Sequence, residues 1–301
     1  MTQEPNLLGA LADVLVARFA AARDSVAALR LSERAHLGAI LWRNDVLVTS
    51  EQSLPDGDAF EAVLADGSSL PGKLAGRDPA TNVAVIRLDK PAARAPTLAA
   101  SVPQVAALVI AAGSDGGGRP SARLGLVNAV GPEWHSMRGG RIEARIQLDI
   151  RLAASEEGGP AFDAAGGWLG MTTFGPRGQI LVIPAATVER IAPVLLTCGR
   201  VPRGWLGVAL RPVAVPDELR ATAGETTGLM VMSLSAEGPA AKAGLVPGDI
   251  ILSIDGASAR RLRNVLAHLG SDSVGKSVSL RLIRGGAVIP VDATITERPE
   301  A

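Results

Sequence analysis

Short apolar runs separated by turn residues recur through residues 26–184 and predict β-strands. The stretch "HLGAILWRNDVLVTS" contains two such runs around a polar "RND" triplet, which is typical of a hairpin. A second hairpin is predicted in "EAVLADGSSLPGKLAG", and further runs follow in "NVAVIRLD", "VAALVIAAG", "RLGLVNAVG", "RIEARIQLD", "GGWLGMTTFG" and "GQILVIPA". Their spacing indicates an all-β barrel or sandwich.

The amino terminus has a different period. Leu8, Leu11, Leu15, Phe19 and Ala22 recur at three- and four-residue steps, which predicts an amphipathic helix within residues 1–25. The interpretation we favour is that this helix packs on its own domain, while an oligomer contact and association with a membrane surface are the alternatives. Charged residues interrupt the apolar run, so it predicts neither a signal peptide nor a membrane span.

The carboxyl-terminal third mixes helix and strand patterns. From Trp205 to about Arg298 the sequence predicts a strand, a strand–short helix–strand unit, a second helix and a hairpin. The preceding segment "CGRVPRG" is rich in turn residues and marks a boundary. We therefore expect an amino-terminal helix at residues 1–25, a β domain at 26–198, a linker at 199–204 and an α/β sandwich domain at 205–301.

Composition narrows the functional classes. Thirty basic and thirty acidic residues are interspersed and give no net charge, which argues against a nucleic-acid partner. The single cysteine, Cys198, excludes an intrachain disulfide and a cysteine-rich zinc cluster. Three histidines stand far apart without ligand spacing. We therefore expect no metal site and no cofactor.

The carboxyl-terminal third carries motifs of a known family. The segments "RGWLGVALRP" and "EGPAAKAGLVPGDIILSIDG" resemble a PDZ domain of the bacterial HtrA type. The resemblance implies that backbone N–H groups at Leu206, Gly207 and Val208 receive a terminal carboxylate, and that the strand accepts the peptide as an added strand. The residues it assigns to the groove are Trp205, Leu206, Gly207, Val208, Leu210, Leu262, Val265, Leu266 and Leu269.

An apolar carboxyl-terminal residue in the partner is the natural expectation, because no charged side chain obviously lines this groove. Two alternatives stay open at this point. The helix face formed by Leu262, Val265, Leu266 and Leu269 could simply fill the core, and the groove could dock on the first domain.

The β domain resembles the trypsin-like domain of the same family, a pair of β-barrels with a Ser-His-Asp triad. In the matching motifs, "LVTSEQSL" places Gln52 at the histidine and "DPATNVAV" places Asn82 at the aspartate. "SEEGGP" places Glu157 at the nucleophile and Ser155 at a glycine of the oxyanion loop. The resemblance thus covers all but the amino-terminal helix and predicts a pseudoprotease whose triad positions are all replaced.

These replacements predict that the chain is not an enzyme. An amide at position 52 cannot accept and return a proton, and Glu157 would repel a forming oxyanion. Glu156 and Glu157 do not form an acid/base pair, because adjacent extended residues face opposite sides. Ser155 and Ser53 are alternative nucleophiles, but the resemblance places no base beside them.

We therefore predict a scaffold, adaptor or chaperone-like subunit that binds extended or carboxyl-terminal peptide segments. The alternatives are a permanent structural subunit of an enzyme complex and a serine-type or rebuilt-site hydrolase. The resemblance implies a homotrimer, although only Phe19 supplies an aromatic side chain in the relevant segment. Without a signal or an anchor, we expect a cytoplasmic location, or a periplasmic one if Met1 is not the natural start.

Overall fold

The computed structural model describes residues 6–92 and 96–299, so residues 1–5 and 300–301 of the predicted terminal segments lie outside the described residues. The chain forms two compact units: the first ends at Val201 and the second begins at Pro202, with residues His135–Arg141 grouped with the second. Across the described ranges, every helix is too short or too polar to cross a bilayer.

The amino-terminal helix, α1, spans Leu7–Ala22, and Asn6 caps it by accepting a hydrogen bond from the Gly9 N–H at 3.0 Å. None of its residues is buried; Leu8 is 79 % exposed. The predicted packing on its own domain holds only near the end of the helix, where Phe19 and Ala22 contact the core. The periodicity predicted the helix correctly, but its first turns are exposed.

Six strands close the first barrel. In chain order they are β1 (Val26–Arg30), β2 (His36–Arg43), β3 (Val46–Ser50), β4 (Ala59–Leu64), β5 (Ser69–Asp78) and β6 (Val83–Leu88). They pair in the order β1-β2-β3-β6-β5-β4, and β1 pairs with β4 to complete the circle. Alternate residues face the interior, where Leu29, Leu41 and Ile86 are fully buried.

The second barrel is also closed by six strands. Its region contains β7 (Leu108–Ser114), β8 (Pro120–Gly131), β9 (Trp134–His135), β10 (Arg141–Ile142), β11 (Arg145–Leu148), β12 (Pro160–Asp163), β13 (Trp168–Phe174) and β14 (Ile180–Pro184). The barrel order is β11-β14-β13-β12-β7-β8, while β9 and β10 form a separate pair. Helix α2 (Ala185–Cys198) buries Val188 and Ile191 in the same apolar cluster as Trp168, and it ends at Gly199, whose φ is +71°.

The second unit is a mixed domain. Its elements are β15 (Gly204–Trp205), β16 (Val208–Ala214), α3 (Arg220–Ala223), β17 (Thr227–Leu234), α4 (Pro239–Lys242), β18 (Ile250–Ile254), β19 (Ala257–Ser258), α5 (Leu262–Leu266), β20 (Ser277–Arg284), β21 (Ala287–Thr294) and β22 (Thr296–Glu297). The main sheet has the order β16-β17-β18-β20-β21, which leaves β16 at one edge. Helix α5 packs beside this edge strand.

Candidate functional site

A glycine corner before β12 positions the residue that the sequence assigns to the nucleophile. Residues Ala154–Glu156 form one 3₁₀ turn, and Gly158 then adopts a φ of +84°. The Gly158 N–H donates to the Thr172 carbonyl at 2.9 Å, which ties the corner to β13. The Glu157 side chain between these features is 3 % exposed and lies between the two barrels.

Glu157 accepts hydrogen bonds from both barrels. Its donors in the first barrel are the Ser50 hydroxyl (3.0 Å), the Gln52 amide (2.6 Å) and the Ser53 hydroxyl; those in the second are the Thr173 hydroxyl (2.8 Å) and the Phe174 N–H (3.2 Å). Four of these donors share Oε1, and the Ser53 hydroxyl alone contacts Oε2. The burial of this anion is thus offset by hydrogen bonds rather than by a cation.

Asn82 belongs to the same network. Its Oδ1 accepts a hydrogen bond from the Gln52 N–H at 2.7 Å and lies 3.2 Å from the Ser50 hydroxyl, whose single hydrogen can go either to Asn82 or to Glu157. Its Nδ2 donates to the Thr173 hydroxyl at 2.8 Å, and that hydroxyl donates onward to Glu157. Asn82 has a φ of +58°, a left-handed conformation that asparagine tolerates better than most residues. The structure therefore brings together Gln52, Asn82 and Glu157 in one hydrogen-bonded cluster.

In the turn that contains Ser155, the N–H groups of the two following residues bond to carbonyls of the turn. The Glu156 N–H donates to the Ala153 carbonyl at 2.9 Å, and the Glu157 N–H points to the Ala154 carbonyl at 3.4 Å. An oxyanion hole requires such N–H groups to face the substrate oxygen. In this structure the N–H groups of Glu156 and Glu157 bond within the turn instead.

Glu156 has its own partners, separate from those of Glu157. It is 6 % exposed and accepts hydrogen bonds from Arg123 Nε at 2.7 Å, the Ser121 hydroxyl at 3.2 Å and the Ala153 N–H at 2.7 Å. Burial alone would raise the pKa of Glu156, but the bonds from Arg123 and the Ala153 N–H outweigh it and hold the pKa below 4.5.

This lowered pKa predicts a specific loss of stability in acid. Because the folded-state pKa lies below the unfolded-state value, Glu156 stabilises the fold above the unfolded-state pKa and loses that contribution as the pH falls through the folded-state pKa. We expect the unfolding free energy of the wild type to fall more steeply below about pH 5 than that of Glu156→Gln. Urea unfolding from pH 6 to pH 3 measures this difference, and parallel curves for the two proteins would contradict it.

The residues predicted for the groove fall into two groups. Leu206 and Val265 are each 1 % exposed and belong to the core of the second unit. Leu262, at the start of α5, is 45 % exposed, and Trp205, Val208, Leu210, Leu266 and Leu269 are half-buried. Val265 therefore fills the core, as the alternative interpretation of the helix face expected, whereas Leu262 is accessible to a ligand.

The loop before β16 has the geometry of an anion receptor. Gly207 adopts a φ of +74°, and the carbonyls of Leu206 and Gly207 accept hydrogen bonds from the N–H groups of Ala240 and Ser235, both at 2.9 Å. Over residues 6–92 and 96–299, no backbone carbonyl accepts a hydrogen bond from the N–H of Leu206 or Gly207. These two donors lie at the start of an edge strand, so a bound carboxylate could satisfy them.

Sequence reasoning missed two residues of the barrel network. Ser50 and Thr173 are 0 % and 3 % exposed, and each contributes a hydroxyl to Glu157. Both occur in strands whose composition is typical of a half-buried sheet, where serine and threonine carry no special signal. Only their distance from Glu157 in three dimensions identifies them.

Comparison with known proteins agrees with this architecture. Residues 37–171 match the family described as a trypsin-like peptidase domain, and residues 204–295 match the PDZ domain. The relative named as a probable periplasmic serine endoprotease, DegP-like, of Brucella suis is 30 % identical over 271 residues, which cover 87 % of this chain and 52 % of the relative. The protein of the same name from Pseudomonas fluorescens is 30 % identical over 272 residues, covering 87 % and 56 %. The chain thus spans about half the length of the curated relatives it matches.

Solved structures show the same arrangement of domains. The HtrA-type protease AlgW with a decapeptide is 25 % identical, has a TM-score of 0.75, and is matched over 95 % of this chain and 99 % of that chain. AlgW with a tripeptide is 27 % identical with a TM-score of 0.74, over 95 % and 98 % of the two chains. The predicted fold class is confirmed: a trypsin-like double β-barrel followed by a PDZ domain, with an amino-terminal helix.

Two predictions from the sequence are wrong by this comparison. The relatives are named serine endoproteases and HtrA-type proteases, which contradicts the prediction that the chain is not an enzyme. The curated relatives are also named periplasmic, which contradicts the prediction of a cytoplasmic location. The first prediction relied on the replaced triad positions and the second on the charged residues that interrupt the amino-terminal apolar run, whereas the fold motifs were present in the sequence. The chain therefore has the trypsin-like double β-barrel and the PDZ domain of the HtrA-type proteases to which it is similar.

Proposed function

We propose that this chain binds extended or carboxyl-terminal segments of other proteins in the groove between β16 and α5, and holds them as a scaffold, adaptor or chaperone-like subunit. The observation that carries the proposal is the edge position of β16 together with the two unbonded N–H groups at Leu206 and Gly207. An added strand would bond to the β16 edge, and its terminal carboxylate would reach those two donors. The half-exposed Leu262 favours an apolar side chain at the peptide terminus.

A substitution at Leu262 tests the groove without disturbing the core. We expect Leu262→Asp to weaken binding of a fluorescein-labelled octapeptide ending in Val-Ala-Val by about tenfold or more, because a buried apolar contact is lost. Val246→Asp is the matched control, since Val246 is also 45 % exposed and lies outside β16 and α5. Fluorescence anisotropy on the full chain measures both affinities. Equal losses in the two variants would contradict a groove at α5.

The barrel positions support the second part of the proposal. We propose that Gln52, Asn82 and Glu157 replace the three residues of the family triad and serve as a hydrogen-bonded link between the barrels. The triad requires a hydroxyl, an imidazole and a carboxylate that orients the imidazole. Glu157 has no hydroxyl, Gln52 has no imidazole and Asn82 has no carboxylate. In this proposal, hydrolysis of a peptide by this chain would need a nucleophile other than these three residues.

A second candidate function follows from one contact in the same network. Ser53 donates its hydroxyl hydrogen to Glu157, so a hydroxyl lies against a carboxylate that can accept its proton. This pair is the basis for a rebuilt-site hydrolase, with Ser53 as the nucleophile and Glu157 as the base. It agrees with the protease names of the relatives.

This candidate predicts that Ser53→Ala and Ser155→Ala have different effects on hydrolysis. Casein cleavage and fluorophosphonate labelling are expected to fall to the level of boiled protein in Ser53→Ala, because the nucleophile is removed. Both signals should persist in Ser155→Ala, since no carboxylate accepts a hydrogen bond from Ser155 among the contacts of the described residues. Cleavage that survives Ser53→Ala would exclude Ser53 as the nucleophile, whereas wild-type protein that neither cleaves casein nor reacts with the probe would leave peptide binding as the function.

The domain limits and the assembly state are further parts of the proposal. The limits are those expected from the sequence, with residues 26–198 as the trypsin-like domain, 199–204 as a linker and 205–301 as the PDZ domain. We propose α1 as the contact for a homo-oligomer, a trimer by the family resemblance, or for a subunit of a hetero-complex. Its support is the exposure of Leu7, Leu8 and Val16, which are 74 %, 79 % and 70 % exposed.

A further inference from the structure

Strand β16 carries one charged side chain, Arg211, which is not part of the apolar groove. Arg211 is exposed, and its side chain has no hydrogen bond or ion pair with any residue that the structure describes. Three nearby arginines are paired: Arg281 binds the Ala223 carbonyl, Arg284 binds Asp249, and Arg260 binds Glu225. Arg261 and Arg263, at α5, are exposed and, like Arg211, have no side-chain hydrogen bond or ion pair with the described residues. Arg211 is thus an unpaired cation on the edge strand.

The face on which Arg211 lies follows from the strand pairing. Leu210 pairs with Val231, and both contact the core beneath α5. Arg211 pairs with Met230, which packs against the apolar cluster on the other side of the sheet. Successive residues of a strand face opposite sides, so Leu210 lies on the α5 side and Arg211 on the other.

A peptide added antiparallel to β16 has a defined register in the proposed groove. With its terminal carboxylate at the N–H groups of Leu206 and Gly207, its last residue falls opposite Val208. The third residue from the end then falls opposite Leu210, on the same side as the last residue. The fourth from the end falls opposite Arg211, and directly opposed residues share one face at a Cβ separation of about 5 Å. Strand β16 is continuous here, because the extra residue of its bulge, Met232, lies on β17.

We infer that Arg211 selects peptides with an acidic residue at the fourth position from the carboxyl terminus. This inference rests on the proposed function, since it uses the same groove. A carboxylate at that position would lie across the strand from the guanidinium, where an opposite-charge pair favours binding and a like-charge pair opposes it. The preferred ligand is therefore a terminus with an apolar last residue, an apolar third-from-last residue and an aspartate or glutamate before it.

Changing the charge of the fourth-from-last peptide residue, and reversing the charge at Arg211, tests this selection. Three fluorescein-labelled octapeptides end in Asp-Val-Ala-Val, Asn-Val-Ala-Val and Lys-Val-Ala-Val, and their affinities for the full chain are measured by anisotropy at low ionic strength. We expect the Asp peptide to bind about two- to fivefold more tightly than the Asn peptide, and the Lys peptide to bind more weakly than either. In Arg211→Glu the order should reverse. In Arg34→Gln, which removes one positive charge from the first barrel, the order should persist.

The controls separate this inference from the proposed function. If the three affinities are in the same ratio in the wild type and in Arg211→Glu, the role of Arg211 is overturned. In that case the groove itself still stands provided that amidation of the peptide carboxyl terminus, or Leu262→Asp, weakens binding. If neither change affects binding, or if no peptide binds, the proposed groove fails and the inference fails with it.

Discussion

Replacing Glu157 with alanine is expected to lower the unfolding free energy of the first unit by about 2 to 4 kcal/mol. The carboxylate accepts five hydrogen bonds, and two of its donors, the hydroxyls of Ser50 and Thr173, are 0 % and 3 % exposed. Without Glu157, the buried Thr173 hydroxyl loses its acceptor and cannot regain one from water, while the Ser50 hydroxyl keeps only the longer contact with Asn82 Oδ1 at 3.2 Å. The partly exposed Gln52 and Ser53 can rebind water, so their loss adds less.

Two further variants separate hydrogen bonding from charge. Glu157→Gln keeps one carbonyl oxygen for the four donors that share Oε1, so we expect a loss of about 1 kcal/mol or less. Glu61→Ala removes a surface ion pair with Arg30, whose side chains are 41 % and 44 % exposed, and should also cost about 1 kcal/mol or less.

Urea unfolding followed by tryptophan fluorescence reports on this unit, because Trp42, Trp134 and Trp168 belong to it. A loss for Glu157→Ala no larger than that for Glu61→Ala would mean that the network adds little to stability. A loss for Glu157→Gln as large as that for Glu157→Ala would mean that the negative charge, rather than hydrogen bonding, is what the network requires.

Most of the fold could be predicted from the sequence because its signals are local. Strand runs and hairpin turns each depend on a few adjacent residues, and they predicted an all-β barrel or sandwich and the mixed domain. The pair of barrels was implied by the family motifs, which are also short stretches of sequence. The amino-terminal helix was predicted for the same reason. Its exposure was not, because a helical period shows which face is apolar but not what lies against it.

The candidate sites were predictable only in part. Motif register identified Gln52, Asn82 and Glu157, but the network around them also needs Ser50 and Thr173, which are distant in sequence. In the groove, one apolar pattern included both Val265, which is in the core, and Leu262, which is accessible. Pattern assigns residues to a face, whereas exposure depends on the packing of neighbouring elements. Arg211 gave no signal, since its role depends on which strand is at the edge of the sheet.

Gly158→Ala is expected to cost about 3 kcal/mol or more of unfolding free energy, although it adds a single methyl group. A Cβ at this position would lie 2.3 Å from the Gly38 carbonyl oxygen and 2.5 Å from Thr49 Oγ1. Both atoms belong to the backbone or buried side chains of the first barrel, so neither can move without disturbing β2 or β3. The left-handed φ of +84° adds the strain of any side chain there.

Gly178→Ala isolates the conformational part of this cost. Gly178 has a φ of +73°, and no atom lies within 4 Å of the position of its Cβ, so this variant should cost only about 1 to 2 kcal/mol. Urea unfolding of both variants gives the difference that is due to the close approach of β2 to the corner. Equal losses would mean that Gly158 is required only for its backbone conformation. A larger loss at Gly158 would mean that the close approach of β2 and β3, and not the backbone conformation alone, requires glycine there.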